Sequence, residues 1–98
     1  MDLGNAIKSL RKTFKVSRVE LAKKSGLSVT ALYNIEKGLS FPSRDTIYNI
    51  CSSLGIPSSY LLVFSVEDSD VSEERRVAFR SLMMPLRLLL LQDAGLVK

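Results

Sequence analysis

The side chains able to do chemistry in this chain gather in one short stretch, SVTALYNIEKG, residues 28–38. Wound into a helix, it sets Ala31, Leu32 and Ile35 within a narrow arc that can pack inward. The opposite face carries Val29, Thr30, Tyr33 and Lys37, with Asn34 at its flank. Burial does not require that set, and solubility alone would favour Glu and Lys. What it offers is contact chemistry: an amide that donates and accepts, a ring bearing a hydroxyl, a cation and exposed methyl groups. Reaction chemistry is missing. The sequence has no His, the commonest general base and metal ligand. Its single cysteine, Cys51, supports neither a disulfide within the chain nor a metal-ligand set. No nucleophile–base pair or phosphate-binding loop is present, so neither an enzyme nor a cofactor is expected.

The elements that must position this face are helical, because no segment of useful length alternates as a strand would. A first helix is predicted from about Asp2 to Phe14, capped by Asp2, with Leu3, Ile7, Leu10 and Phe14 on one face. SRVE opens the second as a capping box between Ser17 and Glu20. Val19, Leu21 and Ala22 supply its apolar contacts, and Gly26 ends it. Ser28 caps the third helix, which Gly38 stops. Ser43 caps a fourth with Ile47, Ile50, Cys51 and Leu54 inward, ended by Gly55, and IPSSYLLVF makes a short fifth. Residues 1–64 thus read as five short helices, 65–71 as an acidic linker, and 72–98 as a helical tail that Ser72, Glu73 and Glu74 open.

Charge follows the same division. The chain of 98 residues carries +4 overall, yet residues 1–64 hold nine Lys or Arg against four Asp or Glu, and residues 65–98 five against six. A basic domain with a near-neutral tail points to a polyanionic partner for the first part only. An apolar share of 46% is that of a globular protein. The longest apolar run, Leu88–Leu91, is far short of the roughly 20 residues that span a bilayer. With no signal-peptide pattern at the N-terminus, a cytoplasmic protein is expected.

Two short helices around a Gly-containing turn form a helix-turn-helix. Here SRVELAKKSGLSVTALYNIEKGLSFPSRDTIYNICSSLGI resembles the XRE family, the lambda-repressor/Cro-like helix-turn-helix regulators. With the first helix, the likeness covers about residues 3–64: the turn Gly, the Leu-Ala pair, IEKG and the Pro-Ser before the fourth helix share one register. It implies an all-α, five-helix DNA-binding domain whose third helix lies in the major groove of double-stranded DNA. By that resemblance Ser28, Val29, Thr30, Tyr33 and Asn34 meet bases and nearby phosphates. Asn34 can bond adenine in bidentate fashion, and Val29 or the Thr30 methyl can pack on a thymine methyl. Lys37, Ser40 and Arg44 read as phosphate contacts. The family often places Gln where this chain has Arg18, which can clamp phosphate but cannot reproduce an amide's two-way bonding. The loop LSF that follows Gly38 is apolar where the family contacts phosphate. The resemblance also implies an inward ion pair between Glu36 and Arg11.

In the tail, Phe79, Leu82, Met83, Leu86, Leu89 and Leu90 share one face, while Met84, Leu88 and Leu91 leave little polar surface on the other side. A helix apolar nearly all round needs burial nearly all round, and a second copy of the tail would supply it. Pro85 predicts a kink or two shorter helices. The sequence therefore reads as a homodimeric DNA-binding repressor on an inverted-repeat operator. The alternative is an antitoxin-like module whose tail binds another protein. A monomer with an amphipathic cap and a membrane-surface helix also remain open.

Overall fold

Side-chain caps open four helices in succession. Asp2 accepts the amide of Asn5 and starts α1 (Leu3–Thr13). Ser17, Ser28 and Ser43 accept the amides of Glu20, Ala31 and Thr46, opening α2 (Arg18–Lys24), α3 (Val29–Glu36) and α4 (Arg44–Leu54). α5 (Ser58–Ser65) begins behind Pro57 without a side-chain cap. The computed structural model describes residues 1–95; the last three residues of the expected tail, 96–98, lie outside the described residues. Among the described residues every regular element is helical, and no single helix is long and apolar enough to cross a membrane.

Two local expectations are corrected in α2. Glu20 does not return to the Ser17 amide; it pairs with Lys24 one turn on, at 3.2 Å, because on an exposed surface a cation at i+4 competes better than a solvated amide. Val19 is exposed, since Leu21 and Ala22 already fill the one arc that a seven-residue helix presents to the core. The turn itself is as expected. Gly26 adopts a φ of 71°, closed to most side chains, and the Leu27 amide folds back onto the Ala22 carbonyl. α1 ends in the same pattern without a glycine: Lys15 takes a φ of 59° and the Val16 amide reaches the Arg11 carbonyl.

Each of the five helices sends at least one fully enclosed side chain to a common centre: Ile7, Leu21, Leu32, Ile50 with Cys51, and Leu61. α1 packs on α3 and α5, and α2 on α3 and α4, so the third helix is backed on two sides. Burial of this kind contributes about 1.5–3 kcal/mol per large side chain. It also pushes the Cys51 thiol pKa up, the desolvation outweighing a contact from Ser58, so the group is a protonated core thiol. Gly4 sits where α1 crosses the end of α3. A Cβ there would lie 2.2 Å from the Ile35 carbonyl oxygen and 3.0 Å from that of Glu36.

Beyond α5 the acidic segment is shaped by basic side chains. Asp68–Asp70 form a 3-10 turn, Arg80 reaches Asp68 at 2.5 Å, and Arg76 Nε donates to the carbonyls of Asp68 and Val71 at 3.2 and 3.3 Å. Ser72 does not open the final helix. Its carbonyl accepts the Arg75 amide, closing a second 3-10 turn, Glu73–Arg75, and α6 follows as Arg76–Asp93. α6 runs unbroken through Pro85. Two shorter helices are not formed, because Ser81 and Pro85 face solvent and water can take up the carbonyl that Pro85 leaves free.

α6 is held to the domain at a few points. Arg87 Nη2 donates to the Val66 carbonyl at 2.6 Å and lies 3.4 Å from that of Val63, Tyr60 donates to Asp93, and Leu91 and Ala94 pack on the core's edge. No side chain of α6 is buried. The expected apolar stripe is split: Phe79, Met83 and Leu90 are half-buried, whereas Leu82, Leu86 and Leu89 are exposed.

The close crossing at Gly4 gives the first prediction. Gly4→Ala should lower unfolding free energy by about 1–3 kcal/mol or more, since the clash is with backbone that cannot rotate away. Urea denaturation of the two proteins measures it; equal midpoints would mean that α1 and α3 cross less closely.

Candidate nucleic-acid interface

α3 is fixed from behind before it can present anything in front. Leu32 and Ile35 anchor its inner face, and its last residue, Glu36, is drawn inward, its side chain only 1% exposed. Arg11 of α1 meets that carboxylate with a two-pronged bond, Nε to Oε2 at 2.9 Å and Nη2 to Oε1 at 3.1 Å. Its remaining arm, Nη1, donates to the Val16 carbonyl at 3.1 Å. The inward pairing of Arg11 and Glu36 is therefore present as the resemblance implied.

Arg18 joins the same carboxylate. Its Nε and Nη2 lie 3.3 and 3.2 Å from Glu36 Oε1, and its guanidinium carbon is 5.1 Å from the Tyr33 ring centre. Arg18 thus ties the start of α2 to α3, by charge-assisted hydrogen bonds to Glu36 and a cation–π contact with Tyr33. One sign of this was available in the sequence. A cation at the first position of α2 faces the positive end of the helix dipole, an unfavourable place that an inward carboxylate offsets. Which carboxylate it meets could not be read from spacing.

The outer face of α3 matches the expected set. Val29, Thr30, Tyr33 and Lys37 are exposed and Asn34 is half-exposed. Lys37 Nζ lies 5.6 Å from the same Tyr33 ring centre, so Arg18, Tyr33 and Lys37 form one cluster. Ser28 Oγ accepts the Ala31 amide at 3.0 Å as the helix cap, which leaves its hydroxyl hydrogen to donate outward. Ser40 and Arg44 are exposed on the loop after Gly38 and at the first position of α4. Beside Arg44, Phe41, Tyr48 and Leu62 stand exposed around an apolar hollow, a grouping that the sequence did not signal.

This is a rigidly backed helix with amide, hydroxyl, methyl and cationic groups on its free face, paired with a second helix across a glycine turn. A helix-turn-helix family model matches residues 7–61, from the buried Ile7 to the buried Leu61. The chain belongs to the helix-turn-helix family. Its all-helical order is that of a lambda-repressor-like domain. Among curated proteins it is 37% identical over 74 residues to an uncharacterized HTH-type transcriptional regulator of Mycobacterium tuberculosis, covering 74% of this chain and 53% of that protein. It is 35% identical over 75 residues to the immunity repressor protein of Bacillus phage phi105, covering 76% of this chain and 50% of the repressor. The chain spans about half the length of these relatives.

The enclosed carboxylate makes the domain sensitive to its partner. Arg11→Ala would leave Glu36 Oε2 without its partner inside the core, and a loss of about 3 kcal/mol is expected. A thermal melt reads it directly, and an unchanged melting temperature would remove the pair from the list of what holds α3.

Proposed function

We propose that this chain is a sequence-specific double-stranded DNA-binding transcriptional regulator, acting as a homodimeric repressor with α3 in the major groove. The observation that carries the reading is the outer face of α3, exposed, free of catalytic groups and mounted on a helix locked from behind. Membership of the helix-turn-helix family supports it, and one relative bears the name of a repressor. In this reading Asn34, Thr30, Val29 and Tyr33 meet base edges, with Ser28 at the helix start. Lys37, Ser40 and Arg44 meet phosphates, and Arg18 retains Nη1 for one, its other two nitrogens being engaged by Glu36.

Residues 1–64 are the DNA-binding unit in this proposal, 65–71 the linker and 72–98 the dimerisation tail. One short helix reads few base pairs, so two copies on successive major-groove faces, about 34 Å apart, give useful specificity. α6 supplies a surface for that. Leu82, Leu86 and Leu89 are 69%, 38% and 58% exposed and recur at helical spacing, while Phe79, Met83 and Leu90 are half-buried.

Selection of duplexes from a random library by the full chain, at near-physiological salt, tests the function. An enriched inverted repeat is expected; enrichment of no motif, with binding that fades at modest salt, would reduce the basic surface to general electrostatics. Asn34→Ala should relax choice at one base pair per half-site by roughly 5- to 100-fold, read by competition between single-base variants of the selected site. For the dimer, Leu82→Glu combined with Leu86→Glu should shift sedimentation to the monomer without changing the melting of the domain. A monomeric unaltered chain that co-purifies with a stoichiometric foreign protein would instead assign the tail to that partner.

A further inference from the structure

We propose that Arg18 sets the base preference of α3 by positioning Tyr33, an inference that rests on the DNA-binding reading above. Tyr33 is the largest side chain on the free face of α3 and is 41% exposed. A ring this exposed can change rotamer unless a neighbour restrains it, and an unfixed ring discriminates poorly because ordering it opposes binding. Arg18 supplies the missing wall. Its guanidinium carbon lies over the ring, 5.1 Å from its centre, and the group is itself held, Nε and Nη2 both meeting Glu36 Oε1. Glu36 in turn is gripped by Arg11 on both oxygens. The chain of restraint therefore runs from the core, through a carboxylate and a guanidinium, to an exposed ring.

A phosphate clamp alone does not need this arrangement. A cation serving only the backbone of DNA gains from a flexible stem and free donors, whereas Arg18 spends two nitrogens on Glu36 and holds its guanidinium carbon over Tyr33. Lys37 also approaches the ring, at 5.6 Å, but its ammonium is a point charge with no plane to stack and no fork for Glu36. The two cations are thus unequal: Arg18 orients, and Lys37 contributes charge.

Arg18→Lys separates the two roles, since it keeps the charge and removes the plane and fork. Base preference is measured by duplex selection and single-base competition for the unaltered chain, Arg18→Lys, Tyr33→Ala and the double variant, each below its melting midpoint. Arg18→Lys should flatten preference about threefold at the same base pairs that Tyr33→Ala affects, with the slope of affinity against salt unchanged. The double variant should discriminate no worse there than Tyr33→Ala alone, because the two act as a unit. Uniformly weaker binding of Arg18→Lys with its preference intact, or losses that multiply or fall at different base pairs, would overturn the inference. If the unaltered chain itself selects no motif, the DNA reading fails and takes this one with it; a selected motif with an unaffected Arg18→Lys variant sinks only the role of Arg18.

Discussion

A carboxylate almost entirely withdrawn from water has to be met by charge and by hydrogen bonds, or it opposes folding by several kcal/mol. Glu36 is that group here, and its partners come from two other helices: Arg11 of α1 on both oxygens, and Arg18 of α2 on one. Three helices of the domain are thereby pinned at the last residue of α3. Gly4 belongs to the same constraint, since α1 passes so close to the Ile35 and Glu36 carbonyls that only a residue without a side chain fits. Aliphatic packing at Ile7, Leu21 and Leu32 brings the helices together, and the ion pairs join them at one enclosed carboxylate.

That division separates stability from contact. The inner side of α3 is committed to Leu32, Ile35 and Glu36, so the outer side chains are free of structural duty. Val29, Thr30, Asn34 and Lys37 can differ among relatives of the fold without disturbing the core. Tyr33 and Arg18 are the exception, because they join the outer face to the buried carboxylate. The far end of the chain is built on other terms. α6 buries none of its side chains and is held by Arg87, Tyr60 and two small apolar contacts. It leaves Leu82, Leu86 and Leu89 exposed in a row at helical spacing.

Most of the domain could be read from local chemistry. Ser17, Ser28, Ser43 and Asp2 cap helices because their short side-chain oxygens reach an amide three residues on, an interaction that depends on nothing distant. Gly26, Gly38 and Gly55 end helices for an equally local reason. The readings that went astray were choices between partners. Glu20 could bond an amide behind it or a lysine ahead of it, Val19 could face either way on a short helix, and Ser72 preceded a tighter turn whose bonding differs from a helix's by one residue. Of the two outcomes that Pro85 suggests, a kink or two shorter helices, the second is not formed.

Residue types and spacing by themselves determined the number and order of the helices, the glycine turn between α2 and α3, the core set and the face of α3 left over from burial. These follow from periodicity and capping, which are properties of neighbours in the chain. Tertiary structure alone decided that Arg18 meets Glu36 and Tyr33, that Gly4 lies under the end of α3, and that Phe79, Met83 and Leu90 of the tail's apolar stripe are half-buried while Leu82, Leu86 and Leu89 are exposed. Each of those depends on where two helices cross, and a crossing is settled by the packing of the whole core rather than by either helix's own sequence.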